Sequence, residues 1–215
     1  MISLRIVLSI ISLWLIILLP VSALGDVSEN DWIDKGARLA DQGKYDEAVQ
    51  AYDKAIEINP QSAPAWGNKA LALYMIGKHD EALNACDNAI ELGPNDWPLW
   101  NTKGMIMDAQ GKYDEAIQAY NKALELQPQF PNAWCNKGNA LIKKGDKDEA
   151  IKAYDKAIEI DPQFRQAWNS KGVALYEQGK YQEAIEAYNK ALEIDPENEL
   201  AKENKAIAIK AMSTR

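Results

Sequence analysis

The chain has 215 residues, of which 24 are Lys or Arg and 32 are Asp or Glu, and its formal net charge is −8. An acidic chain without a basic stripe argues against nucleic-acid binding, because that binding depends on neutralising phosphates. The two cysteines, Cys86 and Cys135, lie far apart, and no CxxC motif or Cys/His cluster accompanies them. We therefore expect neither a metal site nor a disulfide.

The chain opens on an apolar run. Nearly every residue from 6 to 19 is apolar, Arg5 precedes the run and Pro20 ends it. With the small residues after Pro20, this pattern predicts a cleaved signal peptide over residues 1–25. The alternative is an uncleaved anchor, because residues 6–24 approach the roughly 20 that span a bilayer. Either reading predicts an exported chain, which contacts the membrane only through this segment if it is uncleaved.

Residues 29–198 repeat with a period of 34 positions. The recurring tryptophans, glycines and prolines are Trp32, Trp66, Trp100, Trp134 and Trp168; Gly43, Gly77, Gly111, Gly145 and Gly179; and Pro60, Pro94, Pro128, Pro162 and Pro196. A fixed period of this length predicts a solenoid of stacked supersecondary units, which offers an extended binding surface rather than an enclosed active site.

The last unit shows what each period encodes. Apolar and small residues after Trp168 follow a helical spacing, and Gly179 then predicts a left-handed helix end. A second apolar stripe follows, and Pro196 stops it because proline cannot continue a helix. Each period therefore predicts two antiparallel helices, and a small column, which includes Gly172, predicts that the two helices approach closely.

These units resemble tetratricopeptide repeats. The signature of that family reads Trp32, Gly36, Leu39, Ala48, Tyr52, Ala55 and Pro60 in the first copy. The resemblance implies an all-α, right-handed α-solenoid of five helix-turn-helix repeats over residues 29–62, 63–96, 97–130, 131–164 and 165–198. Residues 199–215 read as one further, polar-backed helix that caps the array.

One column departs from the family pattern. The residue before the small column is lysine in every copy, namely Lys35, Lys69, Lys103, Lys137 and Lys171. One interpretation is that the aliphatic stems cover the core while the ammonium groups reach solvent or nearby acids. The other is a cationic ladder that meets an anionic partner.

The resemblance also implies a concave groove, lined by the first helices, that binds a peptide or a partner helix. The groove columns vary between copies while the core columns do not, which leaves them free to specify a ligand. One such column holds Asn101, Cys135 and Asn169. The candidate binding residues are Leu71, Tyr74, Met75, Asn101, Met105, Asn139, Ile142, Asn169, Val173 and Tyr176. Flexible methionines beside an aromatic suit adaptable peptide binding.

No motif predicts catalysis. His79, the only histidine, shares a turn column with tyrosines, and no phosphate loop or nucleophile elbow is present. We therefore expect a non-catalytic, cofactor-free scaffold for a protein or peptide partner. Two alternatives stay open: self-association of the arrays into a structural assembly, and an accessory subunit of an exported enzyme or maturation complex.

Overall fold

The computed structural model describes residues 27–214, within which the chain forms eleven α-helices and no strands. The helices are α1 Glu29–Asp41, α2 Tyr45–Ile58, α3 Ala63–Met75, α4 His79–Leu92, α5 Trp97–Ala109, α6 Tyr113–Leu126, α7 Pro131–Lys144, α8 Lys147–Ile160, α9 Arg165–Glu177, α10 Tyr181–Ile194 and α11 Glu199–Ser213. The segment interpreted as a signal or anchor, residues 1–25, lies outside the described residues. Within residues 27–214, no helix is both long and apolar enough to cross a membrane.

Consecutive helices form five antiparallel pairs, helix pair 1 (α1 and α2) to helix pair 5 (α9 and α10), with α11 packed on the last. The first helices of neighbouring pairs contact one another, whereas the described second helices contact only first helices or α11. Since the first helices approach each other and the second helices are splayed apart, the stack curves. The first helices form its inner layer and the second helices its outer layer.

The helix ends follow from local chemistry. Ser28 and Asp31 form a capping box at α1, in which the Asp31 Oδ2 atom accepts from the Ser28 backbone N–H at 2.8 Å. Gly179 has a φ of +75°, which confirms the left-handed chain reversal predicted there. The same positive φ recurs after the first helix of every pair, so that each pair closes into a similar hairpin.

Glycine and tyrosine fit together inside four of the five helix pairs. A Cβ atom on Gly104 would lie only 2.5 Å from Cε1 of Tyr120, whose ring is 2% exposed. The close approach predicted from the small column is thus confirmed, and a tyrosine ring occupies the space. Helix pair 2 replaces both members together, with Ala70 in the small column and the smaller Cys86 in the tyrosine column. The two columns therefore compensate each other in volume.

Each tryptophan of the repeating column after Trp32 forms a hydrogen bond to the preceding loop. The Trp134 indole N–H donates to the Pro128 carbonyl oxygen at 2.9 Å, and the same bond recurs at Trp66, Trp100 and Trp168. The ring is partly buried against the core while its polar edge satisfies a loop carbonyl. This bond accounts for the joint recurrence of tryptophan and proline, six positions apart.

The two ends of the stack differ. Where neighbouring helix pairs meet, the third and tenth positions of the first helix are apolar and buried, as at Ala133 and Ala140, but α1 has Asp31 and Arg38 there. At the other end, α11 packs through Ala201 and Ala208. It leaves four larger apolar side chains exposed: Leu200, Ile207, Ile209 and Met212. On the side of α11 opposite Ala201 and Ala208, the exposed residues include Glu199, Glu203 and Lys210, as expected of a polar-backed helix, and the larger apolar side chains flank the buried stripe.

Candidate functional site

The predicted binding residues all lie on first helices, in the inner layer of the stack. Leu71, Tyr74 and Met75 lie on α3, which contacts α5. The others are Asn101 and Met105 on α5, Asn139 and Ile142 on α7, and Asn169, Val173 and Tyr176 on α9. A spacing of three or four residues places those of one helix on one face. The fold therefore gathers these residues on one surface, which we call the inner face.

The central apolar part of the inner face divides into exposed and packed side chains. Leu71 is 43% exposed and Met75 is 50% exposed. Tyr74 is partly buried, with its ring centre 5.7 Å from that of His79. Met105 packs against the buried cluster around Tyr120. Leu71 and Met75 are therefore the side chains most available to a ligand, whereas Tyr74 and Met105 also support the fold.

The three asparagines are engaged inside the protein through their oxygens. The Asn139 Oδ1 atom accepts from the Tyr154 hydroxyl at 2.8 Å. The Asn101 oxygen accepts from the Asn136 amide at 3.3 Å, and the Asn169 oxygen accepts from the Asn204 amide at 3.4 Å. An amide oxygen is able to accept a second hydrogen bond. These hydrogen bonds thus fix the orientation of the three asparagine side chains in the free protein.

The remaining predicted residues are only partly exposed. Ile142, Val173 and Tyr176 each pack against a neighbouring core cluster, and the Tyr176 ring centre lies 5.4 Å from that of Tyr181. Cys135, which shares the groove column with Asn101, is 1% exposed, so its prediction as a groove residue is wrong. Burial raises the pKa of its thiol to about 12. At this position the side chain is buried in the core because cysteine is small and apolar.

Charged pairs that the sequence analysis missed join neighbouring helix pairs. Lys143 Nζ lies 2.5 Å from an Asp108 carboxylate oxygen, which joins α7 to α5. Lys147 Nζ lies 3.1 Å from a Glu177 carboxylate oxygen, which joins α8 to α9. The first pair spans 35 residues, one period plus one residue, and that offset is the signal that would have revealed it.

The charges of the lysine column are mostly offset by contacts within the protein. Each lysine ammonium lies 4.5–5.7 Å from the ring centre of its own pair's tryptophan, within the range of cation–π attraction. Lys69, Lys103 and Lys171 also form ion pairs of 2.6–2.7 Å with an aspartate of the preceding helix pair. These contacts favour the first interpretation of the column, in which the ammonium groups meet nearby acids, for three of the five lysines.

Across residues 27–214, no cluster of three or more His, Cys, Asp and Glu side chains is placed to hold a metal ion. The one histidine, His79, contacts Tyr74 at the edge of the inner face.

Comparison with known proteins agrees with the repeat pattern. Family models described as tetratricopeptide repeat or TPR repeat match residues 39–103, 109–145 and 135–199. No curated protein sequence matches the chain.

Solved structures share the fold. A crystal structure of MamA matches with 26% identity and a TM-score of 0.68, over 80% of this chain and 96% of that one. YrrB, a TPR protein with an unusual peptide-binding site, matches with 23% identity and a TM-score of 0.68, over 86% of this chain and 95% of its own. TTC0263, a thermophilic TPR protein of Thermus thermophilus, matches with 20% identity and a TM-score of 0.69, over 85% and 100%. The family matches, the 34-residue pattern and the all-helical stack together identify this chain as a tetratricopeptide repeat protein.

Proposed function

We propose that this protein is a non-catalytic scaffold that binds a peptide or helix of a partner protein on its inner face. The observation that carries the proposal is the exposure of Leu71 and Met75, at 43% and 50%, on a face otherwise fixed by internal contacts. Adjacent large apolar side chains that stay exposed on a rigid support are typical of interaction surfaces. The fold is compatible with this use, because YrrB has a peptide-binding site on a similar stack.

Replacing Leu71 and Met75 together by serine is expected to weaken partner binding at least tenfold, or about 1.4 kcal/mol. Both side chains are exposed, so the fold should persist, and circular dichroism would verify this. The measurement is recovery of partners from native envelope extract on the immobilised full chain, followed by titration of the purified partner.

The matched control is Ile58→Ser, which removes an apolar side chain of similar exposure, 51%, from the outer layer. Loss of binding in the double variant alone supports the inner face. Equal recovery by the native chain and both variants would contradict the assignment.

We further propose that the chain is exported. The support is the positive start, apolar run and small residues of positions 1–25. Mass spectrometry of the chain recovered from cell fractions tests this: removal of the first 23 or 25 residues indicates a cleaved signal, and an intact chain in the membrane indicates an anchor. Recovery of the intact chain from cytoplasm would argue against export.

Self-association is a second candidate function, favoured by the exposed apolar side chains of α11. Arg38 and Asp31 at the opposite end would have to be buried in a head-to-tail stack, which is unfavourable. We therefore infer that association joins two copies through α11 around a two-fold axis.

Light scattering of the full chain over a range of concentrations is expected to show a monomer–dimer equilibrium. Leu200 and Ile207 lie seven residues apart and therefore on one side of α11. Substituting both by lysine should leave a monomer, because each copy would have to bury the two charges against its partner. Leu71→Ser/Met75→Ser serves as the control, since it changes the inner face and should leave the equilibrium unaltered. A native chain that stays monomeric at all concentrations would rule out this candidate.

A further inference from the structure

A second type of concavity lies on the opposite side of the first helices from the inner face. Between the two helices of helix pair 4 is a cleft of about 460 Å³, in which Trp134 and Lys137 from α7 face Lys152 and Lys156 from α8. At 3.6 residues per turn, the tryptophan and lysine columns lie on the side of the helix opposite the groove columns. A ligand in this cleft would therefore not compete with one on the inner face.

Lys137 differs from the equivalent lysines of other helix pairs in its ion-pair partner. Lys69, Lys103 and Lys171 each pair with an aspartate of the preceding helix pair at 2.6–2.7 Å. Asn121 takes the place of that aspartate, 16 positions before Lys137. It lines the same cleft and carries no charge. Within residues 27–214, Lys137 makes no ion pair and contacts the Trp134 ring at 5.2 Å.

The acid that lines the cleft does not complete the missing ion pair. Glu149 lines the cleft and acts on Lys137 electrostatically, but its carboxylate is held by Lys152 at 2.6 Å. Burial lowers the pKa of Lys137, and the Glu149 charge opposes this effect only in part. A bound anion would relieve the cost of burying the ammonium, because it would favour the charged form.

A second departure makes the cleft more positive. Lys152 stands in a column that elsewhere holds Gln50, Asn84, Gln118 and Glu186. With Glu159, which pairs with the lining Lys156 at 2.6 Å, the cleft of helix pair 4 has three lysines and two glutamates, a net of +1. The same columns of helix pair 5 have two lysines and three glutamates, a net of −1. In a chain whose net charge is −8, helix pair 4 thus offers a locally cationic cleft.

We propose that this cleft binds a carboxylate of an acidic peptide, with Lys137 as its ion-pair partner. In three other helix pairs the same lysine already holds a carboxylate, so the ligand supplies from outside the group that Asn121 lacks. The Trp134 ring and the aliphatic wall of Leu141 provide an apolar surface for the neighbouring ligand side chain. The cleft volume falls in the range of sites that accept small ligands, and here it suits one or two residues.

The test uses the full chain with ¹⁵N-labelled tryptophan indoles, because the Trp134 indole borders the cleft. The probe is acetyl-Leu-Glu-Leu-amide, and its uncharged counterpart is acetyl-Leu-Gln-Leu-amide. The glutamate probe is expected to shift the Trp134 indole signal saturably, while the Trp168 signal stays in place. The glutamine probe is expected to bind at least fivefold more weakly. Acetyl-Leu-Leu with a free terminus shows whether a C-terminal carboxylate binds as well as a side-chain carboxylate.

Asn121→Asp is the decisive variant, because it should restore the internal ion pair seen in the other helix pairs and exclude the ligand. We expect at least fivefold weaker binding of the glutamate probe with the fold retained. Asn189→Asp makes the same substitution in the same column of helix pair 5 and should leave binding unchanged. Equal binding of the two peptides, unaltered binding by Asn121→Asp, or equal shifts with inorganic phosphate or an RNA oligonucleotide would overturn the proposal. Failure of the inner-face variants would leave these outcomes unaffected.

Discussion

Replacing Gly104 by alanine is expected to destabilise the protein by about 1–3 kcal/mol, the range for overpacking a core. The new Cβ atom would lie 2.5 Å from the Tyr120 ring, which is held in the core and has to shift. In a Tyr120→Cys background the same replacement should be neutral or stabilising by up to about 1 kcal/mol, because alanine favours the helix over glycine. Helix pair 2 already has this combination, Ala70 with Cys86.

A double-mutant cycle measured by urea unfolding checks this expectation. The coupling free energy between positions 104 and 120 should exceed the roughly 0.5 kcal/mol scatter of independent sites. Gly93→Ala is the control, because its φ is negative and the nearest atom to a new Cβ lies at 3.6 Å. Its effect should stay small in both backgrounds. Equal destabilisation by Gly104→Ala with either residue at 120 would show that the ring is not the obstacle.

The free energy of unfolding is expected to fall steeply above about pH 9. Burial raises the pKa of the Cys86 and Cys135 thiols to about 12, whereas an unfolded cysteine titrates near 8.5. A group whose pKa is higher in the folded state contributes its full stabilisation below the unfolded pKa and loses it as the pH rises to the folded pKa. Each thiol should therefore remove about 1.4 kcal/mol per pH unit between pH 9 and 12.

Buried tyrosines should steepen this loss above pH 10, because burial also raises the pKa of Tyr188, to about 12, and those of Tyr120 and Tyr154. Urea unfolding at half-unit steps from pH 8 to 11 measures the slope. Cys86→Ala should lower the slope between pH 8 and 9 by close to half, because few tyrosines of the unfolded chain are ionised in this range. A flat profile across this range, or one unaffected by removing Cys86, would contradict the expectation.

Within a helix pair, much of the fold could be predicted because its contacts are close in sequence. Trp168 and Gly179 recur in every earlier period, and Gly172 recurs in all but the second, which has Ala70. Helical spacing alone places Trp168 and Gly172 on one face. The predicted glycine turn and the close helix approach are both confirmed by the backbone and by the Gly–Tyr contacts. The residues of one period therefore determine the structure of their own helix pair.

The sequence predicted the candidate ligand-binding residues only as repeat positions, without saying which side chains are exposed. The variable columns led to Leu71 and Met75, which are exposed, but also to Cys135, which is buried. The sequence pattern states which side of a helix faces the inner layer, yet exposure also depends on side-chain size and on the neighbouring helix pair.

The 34-residue period of the sequence, by itself, determined the helical pairs, their turns and the family. Only the tertiary structure decided how the lysine column is used, because Lys69, Lys103 and Lys171 each pair with an aspartate 16 residues earlier, on the preceding helix pair. It likewise decided that Lys137 faces Asn121 in a cleft and that α11 exposes Ile207 and Ile209. Contacts inside one period follow from helical geometry, whereas contacts between periods depend on how adjacent pairs rotate and stack.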